Sequence, residues 1–143
     1  MKCDSFEIAM LIKEIYSNTV NIISDNLKDS GLTYQQIMVI KLIAHNGQVN
    51  ISKICDEMSL SKGTVSGIVT RLESLGYINK IKDPNDKRNT YIEFSKKGIE
   101  FAKEFKKTIN DSFENVFENF TDEELANLKE NLIFTKNKIK RIF

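Results

Sequence analysis

The stretch SKGTVSGIVTRLESLGYINK, residues 61–80, separates apolar from polar residues at the spacing of an α-helix. Ser61 is a favourable N-cap, and Gly76 is typical of the position just beyond the last turn. We therefore expect a helix between these two residues. Its apolar positions predict one buried face, made of Val65, Ile68, Val69, Leu72 and Leu75.

The opposite face of this predicted helix is polar and unusually small. A glycine inside a helix costs about 1 kcal/mol relative to alanine, so a helix that only has to be soluble gains nothing from two of them. Small outward residues do allow close approach to another surface, and the major groove of B-DNA, about 12 Å wide, admits a helix. The amides at residues 61–64 and the positive helix end suit a phosphate group. The face holds Lys62, Gly63, Thr64, Ser66, Gly67, Thr70 and Arg71.

A shorter helix is predicted before this one. Asn50 is a favourable N-cap, and the helix is expected to run to Met58, followed by a tight turn at residues 59–60. Ile54 should face inward, and Cys55 is expected in the core where the two helices cross closely. Two short helices joined in this way predict a helix-turn-helix.

A charged segment, KDPNDKRNTYIEFS at residues 82–95, follows the longer helix. The β-rich pieces YINKIK and TYIEFS flank the tip PNDKRN, which contains Pro84, the one proline of the chain. This pattern predicts an antiparallel hairpin with a stiff tip. A hairpin directly after a helix-turn-helix makes a winged helix-turn-helix.

Longer helices are predicted on both sides of this unit. Residues 5–28 are amphipathic, and Thr33 with Gln36 forms a capping-box pattern for a second helix that Gly47 closes. A short extended piece at residues 48–49 follows. The expected fold class is mostly α (α+β), in the order α-α-β-α-α-β-β-α-α.

The last third of the chain is again helical in pattern. Thr121 to Glu124 forms a second capping box, and the chain ends in the apolar and basic sequence IKRIF. A strongly apolar stripe, rich in phenylalanine, precedes the capping box. It predicts packing against other helices, and part of it is able to line a ligand cavity. The stripe consists of Ala102, Phe105, Ile109, Phe113, Val116, Phe117 and Phe120.

Charge is unevenly distributed along the chain. The net charge is +1, but residues 61–97 carry 8 basic and 4 acidic side chains, a local balance of +4. This basic segment contains both the small-faced helix and the hairpin tip. It indicates a directed contact with an anionic partner.

Other function classes lack their signatures in the sequence. Two cysteines and one histidine do not make a zinc or iron site, and we expect no metal and no cofactor. The sequence has no Gly-rich phosphate loop and no nucleophile–base pair, so we do not expect an enzyme. No apolar run approaches the roughly 18 residues of a membrane span, and the start MKCDSFEIAM is not typical of a signal peptide. We therefore expect a cytoplasmic protein without a membrane partner.

The sequence resembles the MarR family of transcriptional regulators. The resemblance lies in residues 61–80 and in the hairpin, where Asp86-x-Arg88-(x)5-Phe94-Ser95 is similar to the family signature D-x-R-x-x-x-x-x-L-T. Phenylalanine stands for leucine and serine for threonine. The predicted helix order is similar over essentially the whole chain.

The resemblance implies a role for each polar residue of the unit. Arg88 would enter or border the minor groove, Asp86 would hold its guanidinium in one orientation, and Lys87 would add a phosphate contact. Lys62 would read a guanine through O6 and N7. Base contacts are implied for Lys62, Gly63, Ser66 and Gly67, and backbone contacts for Ser61, Thr64, Thr70 and Arg71.

The resemblance also implies an architecture and partners. Residues 1–143 form one domain, with a winged helix-turn-helix lobe at about 33–96 and dimerisation helices at about 4–30 and 97–143. The expected protein is a homodimeric repressor that binds a pseudo-palindromic double-stranded operator and responds to a small aromatic or phenolic effector. The residues of the effector pocket are not identified.

Alternatives stay open at this point. The same fold can dock proteins, for instance an acidic partner, without specific DNA binding. Cys3 stands just before the first helix, where some relatives carry a redox-sensing cysteine, although Asp4 beside it disfavours a thiolate. His45 is interpreted as a partner of a helix C-terminus.

Overall fold

The computed structural model describes residues 3–139, and within them six α-helices and three strands follow one another in the expected order. A single 3-10 turn at Lys28–Ser30 extends the first helix. The elements are α1 (Ser5–Leu27), α2 (Tyr34–Asn46), β1 (Gln48–Asn50), α3 (Ile51–Met58), α4 (Lys62–Ser74), β2 (Ile78–Lys82), β3 (Thr90–Phe94), α5 (Lys96–Val116) and α6 (Asp122–Lys138).

Side-chain caps set the helix starts where the sequence predicts them. Thr33 and Thr121 each complete a reciprocal capping box with the residue three positions on. Asn50 accepts a hydrogen bond from the amide of Lys53, and Ser61 accepts one from the amide of Thr64. The boundaries are therefore local properties of the chain.

The hairpin is part of a larger sheet than the sequence indicates. β3 lies in the centre, with β2 and β1 antiparallel on either side. Ile92 of β3 pairs with Lys80 of β2 and with Val49 of β1. The short strand before α3 thus ties the start of the helix-turn-helix to the hairpin.

Two apolar clusters hold the elements together. The larger one lies between α2, α3, α4 and the sheet and includes the fully buried Ile54, Val65 and Leu72. The smaller one joins α1 to α2 and α5 through the buried Ile23 and Ile109. α5 contributes to both clusters and so connects the sheet-containing lobe with α1.

The outer helices keep much of their apolar surface exposed. Most apolar side chains of the first four turns of α1 are exposed, with Phe6 at 72%. On α6, Phe134 is 63% exposed. The expected stripe is only partly buried and runs past the end of α5: Phe120, beyond the helix, is exposed, while Phe101, outside the stripe, packs into the core. Residues 140–143, which belong to the terminal sequence IKRIF, lie outside the described residues.

Cys55 lies at the edge of the core. It packs against the larger cluster and is half-buried, because one side of α3 faces a surface cavity rather than another helix. The expected core position is thus found at the border of the cluster rather than in its centre.

Candidate nucleic-acid interface

The outward face of α4 is open along its length. Nothing lies within 4 Å of a Cβ built at Gly63 or at Gly67. Lys62, Thr70 and Arg71 are exposed, and Ser66 is half-buried. Because no other part of the described chain contacts Gly63 or Gly67 at these positions, this face of α4 can approach another surface closely.

The inward face of α4 is fixed. Val65, Val69 and Leu72 have no exposed surface, and Ile68 is 9% exposed. Leu75, predicted on the same face, is half-buried at the helix end. The helix is thus held from one side only, which orients its polar residues as a unit.

The start of α4 presents free hydrogen-bond donors. The Ser61 hydroxyl lies 3.2 Å from the Thr64 amide that it caps and 2.9 Å from the Thr64 hydroxyl. By helix geometry the amides of Lys62 and Gly63 have no intrahelical acceptor. This end suits an anionic oxygen.

The hairpin tip, residues 83–89, is closed by its own hydrogen bonds. Asp83 donates its amide to the carbonyl of Asn89 (3.0 Å), and its carboxylate accepts from the amide of Asn85 (2.8 Å). Asn89 donates to the carbonyl of Asp86 (3.0 Å). These bonds fix a tip that would otherwise be a flexible loop.

Asp86 closes the turn that leads to Arg88. Its carboxylate accepts a hydrogen bond from the backbone amide of Arg88 at 3.0 Å, and no ion pair joins the two side chains within residues 3–139. The short side chain thus closes a turn onto the amide two residues on, and its orienting role toward the guanidinium on DNA stays a prediction. The Arg88 side chain is exposed and extends from this turn, and Lys87 beside it is exposed as well.

One cavity brings the helix and the hairpin together. It has a volume of about 310 Å³ and is lined by Lys62 at the start of α4 and Arg88 of the tip. Asn50 and Ser52, at the start of α3, also line it. Sequence reasoning identified Asn50 as a cap only and missed Ser52. We refer to the outward face of α4, the tip and this cavity as the candidate interface.

Lys80 is a further basic residue that the sequence reasoning missed. It extends from β2 to donate a hydrogen bond to the Thr70 hydroxyl (3.2 Å) and pairs with Glu73 (3.6 Å). Thr70, expected to contact the DNA backbone, is therefore partnered by a lysine of the neighbouring strand. The signal for Lys80 was the alternation of the strand, which places it on the side of α4.

A second cavity of about 620 Å³ lies between α2, the end of β3 and α5. Lys41 of α2 crosses it, donating to the side-chain oxygen of Asn110 (2.6 Å) and lying 5.6 Å from the ring centre of Phe113. His45, in the last turn of α2, also lines the cavity. Two further lysines, Lys103 and Lys106, also line the cavity. The other lining residues are mostly apolar: Met38, Ile40, Leu42, Ala44, Phe94, Ile99, Ala102 and Ile109.

Among residues 3–139 no three His, Cys, Asp or Glu side chains are close enough together to hold a metal ion. No described helix is long and apolar enough to cross a membrane.

A helix-turn-helix with an open second helix, followed by a hairpin whose arginine shares a cavity with that helix, defines a winged helix-turn-helix protein. A family model described as "MarR family" matches residues 32–90. The regulator SarZ of Staphylococcus epidermidis, an HTH-type transcriptional regulator, is 32% identical over 118 residues, which cover 80% of this chain and 77% of SarZ. The chain belongs to the MarR family of transcriptional regulators.

Solved structures show the same fold. Sco3205 of Streptomyces coelicolor, a MarR family transcriptional regulator solved in complex with DNA, superposes with a TM-score of 0.84 at 16% identity, covering 99% of this chain and 94% of that one. BpsR of Bordetella bronchiseptica, whose DNA binding is regulated by 6-hydroxynicotinic acid, superposes with a TM-score of 0.81 at 19% identity, covering 91% and 98%. At these identities the likeness concerns the fold.

Proposed function

We propose that the protein is a homodimeric repressor that binds a pseudo-palindromic double-stranded operator through the candidate interface. The observation that carries this proposal is the shared cavity of Lys62 and Arg88, because it aligns a helix face without bulky side chains with a basic tip. A duplex offers a groove and two phosphate strands at matching positions.

The outward face of α4 is proposed to enter the major groove. Open space at Gly63 and Gly67 lets the helix backbone approach the base edges, and Lys62 reaches a guanine. Ser61 and Thr64 bring the free amides of the helix start to a phosphate. For the outward face of α4 we propose two kinds of contact. The DNA bases are contacted by Lys62, Gly63, Ser66 and Gly67, and the DNA backbone is contacted by Ser61, Thr64, Thr70 and Arg71.

The hairpin tip is proposed to reach the neighbouring minor groove. Arg88 is exposed beside the cavity and carries no acidic partner on its guanidinium within the described chain. A free guanidinium is attracted to a minor groove narrowed by A·T-rich sequence. Asp86 supports this contact indirectly by closing the turn, and Lys87 adds a phosphate contact.

The outer helices are proposed to form the dimer, with the lobe at about 33–96 and dimerisation helices at about 4–30 and 97–143. The exposed apolar side chains of α1 make a face too large to leave in water, with Phe6 and Ile15 more than half exposed. α6 adds Leu132 and Phe134. A second copy of the chain covers this face and places two α4 helices about 34–36 Å apart, one turn of DNA.

Replacing Arg88 with alanine is expected to weaken operator binding and to make it less sensitive to salt. Each phosphate-neutralising cation contributes about 0.9 to the slope of log K against log salt, so the slope should fall by about one per protomer. The measurement is operator affinity by fluorescence anisotropy between low and moderate salt. Lys129→Ala, which removes an exposed cation from α6, is the matched control and should change neither quantity. An unchanged slope in Arg88→Ala removes the tip from the mechanism.

A small aromatic acid or phenol is proposed as the effector, bound in the cavity between α2 and α5. The walls are apolar, and Lys41 supplies a cation whose partners are an amide oxygen and an aromatic face. A carboxylate would offer this ammonium group a stronger hydrogen bond. Binding acts on DNA affinity only if the effector prefers a different arrangement of α2 and α5. The regulation of BpsR by 6-hydroxynicotinic acid supports this class of ligand.

An aromatic carboxylate such as benzoate or 6-hydroxynicotinate is expected to weaken operator binding of the wild type. Lys41→Met should keep operator affinity and lose at least about tenfold in sensitivity to the acid, since a hydrogen bond between charged groups is worth about 1.5–3 kcal/mol. Operator affinity is titrated against acid concentration, with Lys129→Met as control. Equal sensitivity of the Lys41 variant and the wild type would place the acid elsewhere.

Docking of an acidic protein remains the competing use of this fold. It predicts no preference for any duplex even at low ionic strength. Selection of bound DNA from random sequence therefore separates the two functions directly.

A further inference from the structure

The carbonyls of the two residues that follow α4 accept hydrogen bonds from the start of α5. Lys97 donates from its ammonium group to the carbonyl of Leu75 at 2.9 Å. The Ser95 hydroxyl donates to the carbonyl of Gly76 at 2.5 Å. A cation at this end of a helix also interacts favourably with the helix dipole. The start of α5 therefore holds the segment that follows α4.

Ser95 has three roles at this place. Its hydroxyl accepts from the amide of Gly98, which caps the start of α5, while it donates to Gly76. Its own amide donates to the carbonyl of Tyr77 at 3.0 Å. One residue thus holds the segment that follows α4 and begins α5.

Gly98 lets the two segments approach as closely as backbones can. A Cβ at this position would lie 1.9 Å from the carbonyl oxygen of Tyr77 and 3.0 Å from the Phe94 ring. The Tyr77 ring is tilted against the ring of Phe101 of α5, with ring centres 4.6 Å apart, and the ammonium group of Lys97 lies 5.0 Å from the centre of the Tyr77 ring. Gly98 thus leaves no room for a side chain between α5 and Tyr77.

We propose that Ser95, Lys97 and Gly98 form a joint that fixes the direction of α4 relative to α5, and that this joint sets the half-site spacing the dimer accepts. The proposal rests on the proposed function, since it assumes a dimer on DNA. α5 also packs on α1 through Ile109, so its direction is tied to the proposed dimer interface. The joint is a hydrogen-bonded contact between α5, which reaches that interface, and the end of the reading helix. These three are positioning residues and need not touch DNA.

The first test measures the joint without DNA. Nitroxide labels are placed on α4 and α5 by Gly67→Cys and Glu104→Cys, with Cys3→Ser and Cys55→Ala removing the native thiols. Labelled chain is diluted into unlabelled chain so that only distances within one chain are read. Lys97→Met and Ser95→Ala are expected to broaden the distance distribution. An unchanged distribution in both variants overturns the joint.

Matched controls separate positioning from stability. Thr121→Ala removes an N-cap of the same type from α6, far from the joint, and should leave the distance unchanged. Ser95→Thr and Lys97→Arg retain the hydrogen-bonding groups and should restore the wild-type distribution. Broadening by Thr121→Ala would show that the label reports loss of a cap and would overturn the assignment.

The second test measures spacing on DNA. Operators are prepared with half-sites moved apart or together by one and two base pairs. For each protein variant, the affinity for the best operator is divided by the affinity for a shifted operator, and this ratio is compared with that of the wild type. Lys97→Met should reduce this ratio by about tenfold, in keeping with loss of one charge-assisted hydrogen bond. Thr33→Ala, which removes an N-cap of the same type from α2 outside the proposed dimerisation helices, should retain it. If Lys97→Met broadens the label distance but leaves the affinity ratio unchanged, the claim about half-site spacing is overturned. If the wild type binds no duplex at all, the proposed function is overturned, and the label distances alone decide on the joint.

Discussion

Replacing Gly67 with glutamate is expected to abolish operator binding while the protein remains at least as stable as the wild type. The new side chain stands on the open face of α4, where nothing lies within 4 Å of its Cβ. It brings bulk and a negative charge to a surface proposed to enter a groove lined with phosphates. A like-charge contact costs several kcal/mol, so affinity should fall by more than about 100-fold.

The stability side of this prediction has a separate cause. Glycine disfavours a helix by about 1 kcal/mol relative to alanine, and glutamate is a good helix former. Thermal unfolding and sedimentation therefore check that the variant is folded and keeps the oligomeric state of the wild type. Gly67→Gln, similar in size but uncharged, separates bulk from charge and should lose less affinity. Full operator binding by Gly67→Glu would mean that another surface reads the DNA.

Replacing Gly98 with alanine is expected to destabilise the protein, the reverse of what helix propensity predicts. Alanine favours a helix by about 1 kcal/mol over glycine. The added Cβ, however, would lie 1.9 Å from the Tyr77 carbonyl oxygen and 2.9 Å from its carbonyl carbon, so α5 must move away from the residue that precedes β2. Such overpacking costs about 1–3 kcal/mol or more, and a net loss of about 2 kcal/mol is expected.

The measurement is urea unfolding at one fixed protein concentration, because dimerisation makes apparent stability depend on concentration. Gly63→Ala is the matched control: it is the same change in a helix, but with open space around the Cβ. It should stabilise the protein by up to about 1 kcal/mol. If both substitutions stabilise, the close contact at Gly98 is relieved at no cost and the joint is looser than the structure indicates.

The local features of the fold were predictable from the sequence. Thr33, Asn50, Ser61 and Thr121 cap helices where their sequence pattern predicts, because a cap is an interaction between residues two or three positions apart. The apolar face of α4 was predictable for the same reason. These signals lie within one turn of chain and need no knowledge of the tertiary structure.

Features that join distant segments were not predictable. The pairing of β1 with β3 connects residues 48–50 with residues 91–93, and the contact of Gly98 is with Tyr77. The turn that Asp86 closes was not predicted because an ion pair with the Arg88 side chain and a hydrogen bond to the Arg88 amide have the same sequence spacing. Which bond forms depends on the turn conformation. The two cavities likewise arise from elements that meet only in the folded chain.

The open space around Gly63 and Gly67 has a consequence for how this protein can change over generations. Substitutions at sites that share no neighbours with the core combine with core substitutions almost additively. New side chains can therefore appear at these two positions with little burden on folding, while the set of recognised operators shifts. The architecture separates the choice of target genes from the integrity of the scaffold, so a duplicated copy could acquire its own regulon through very few mutations.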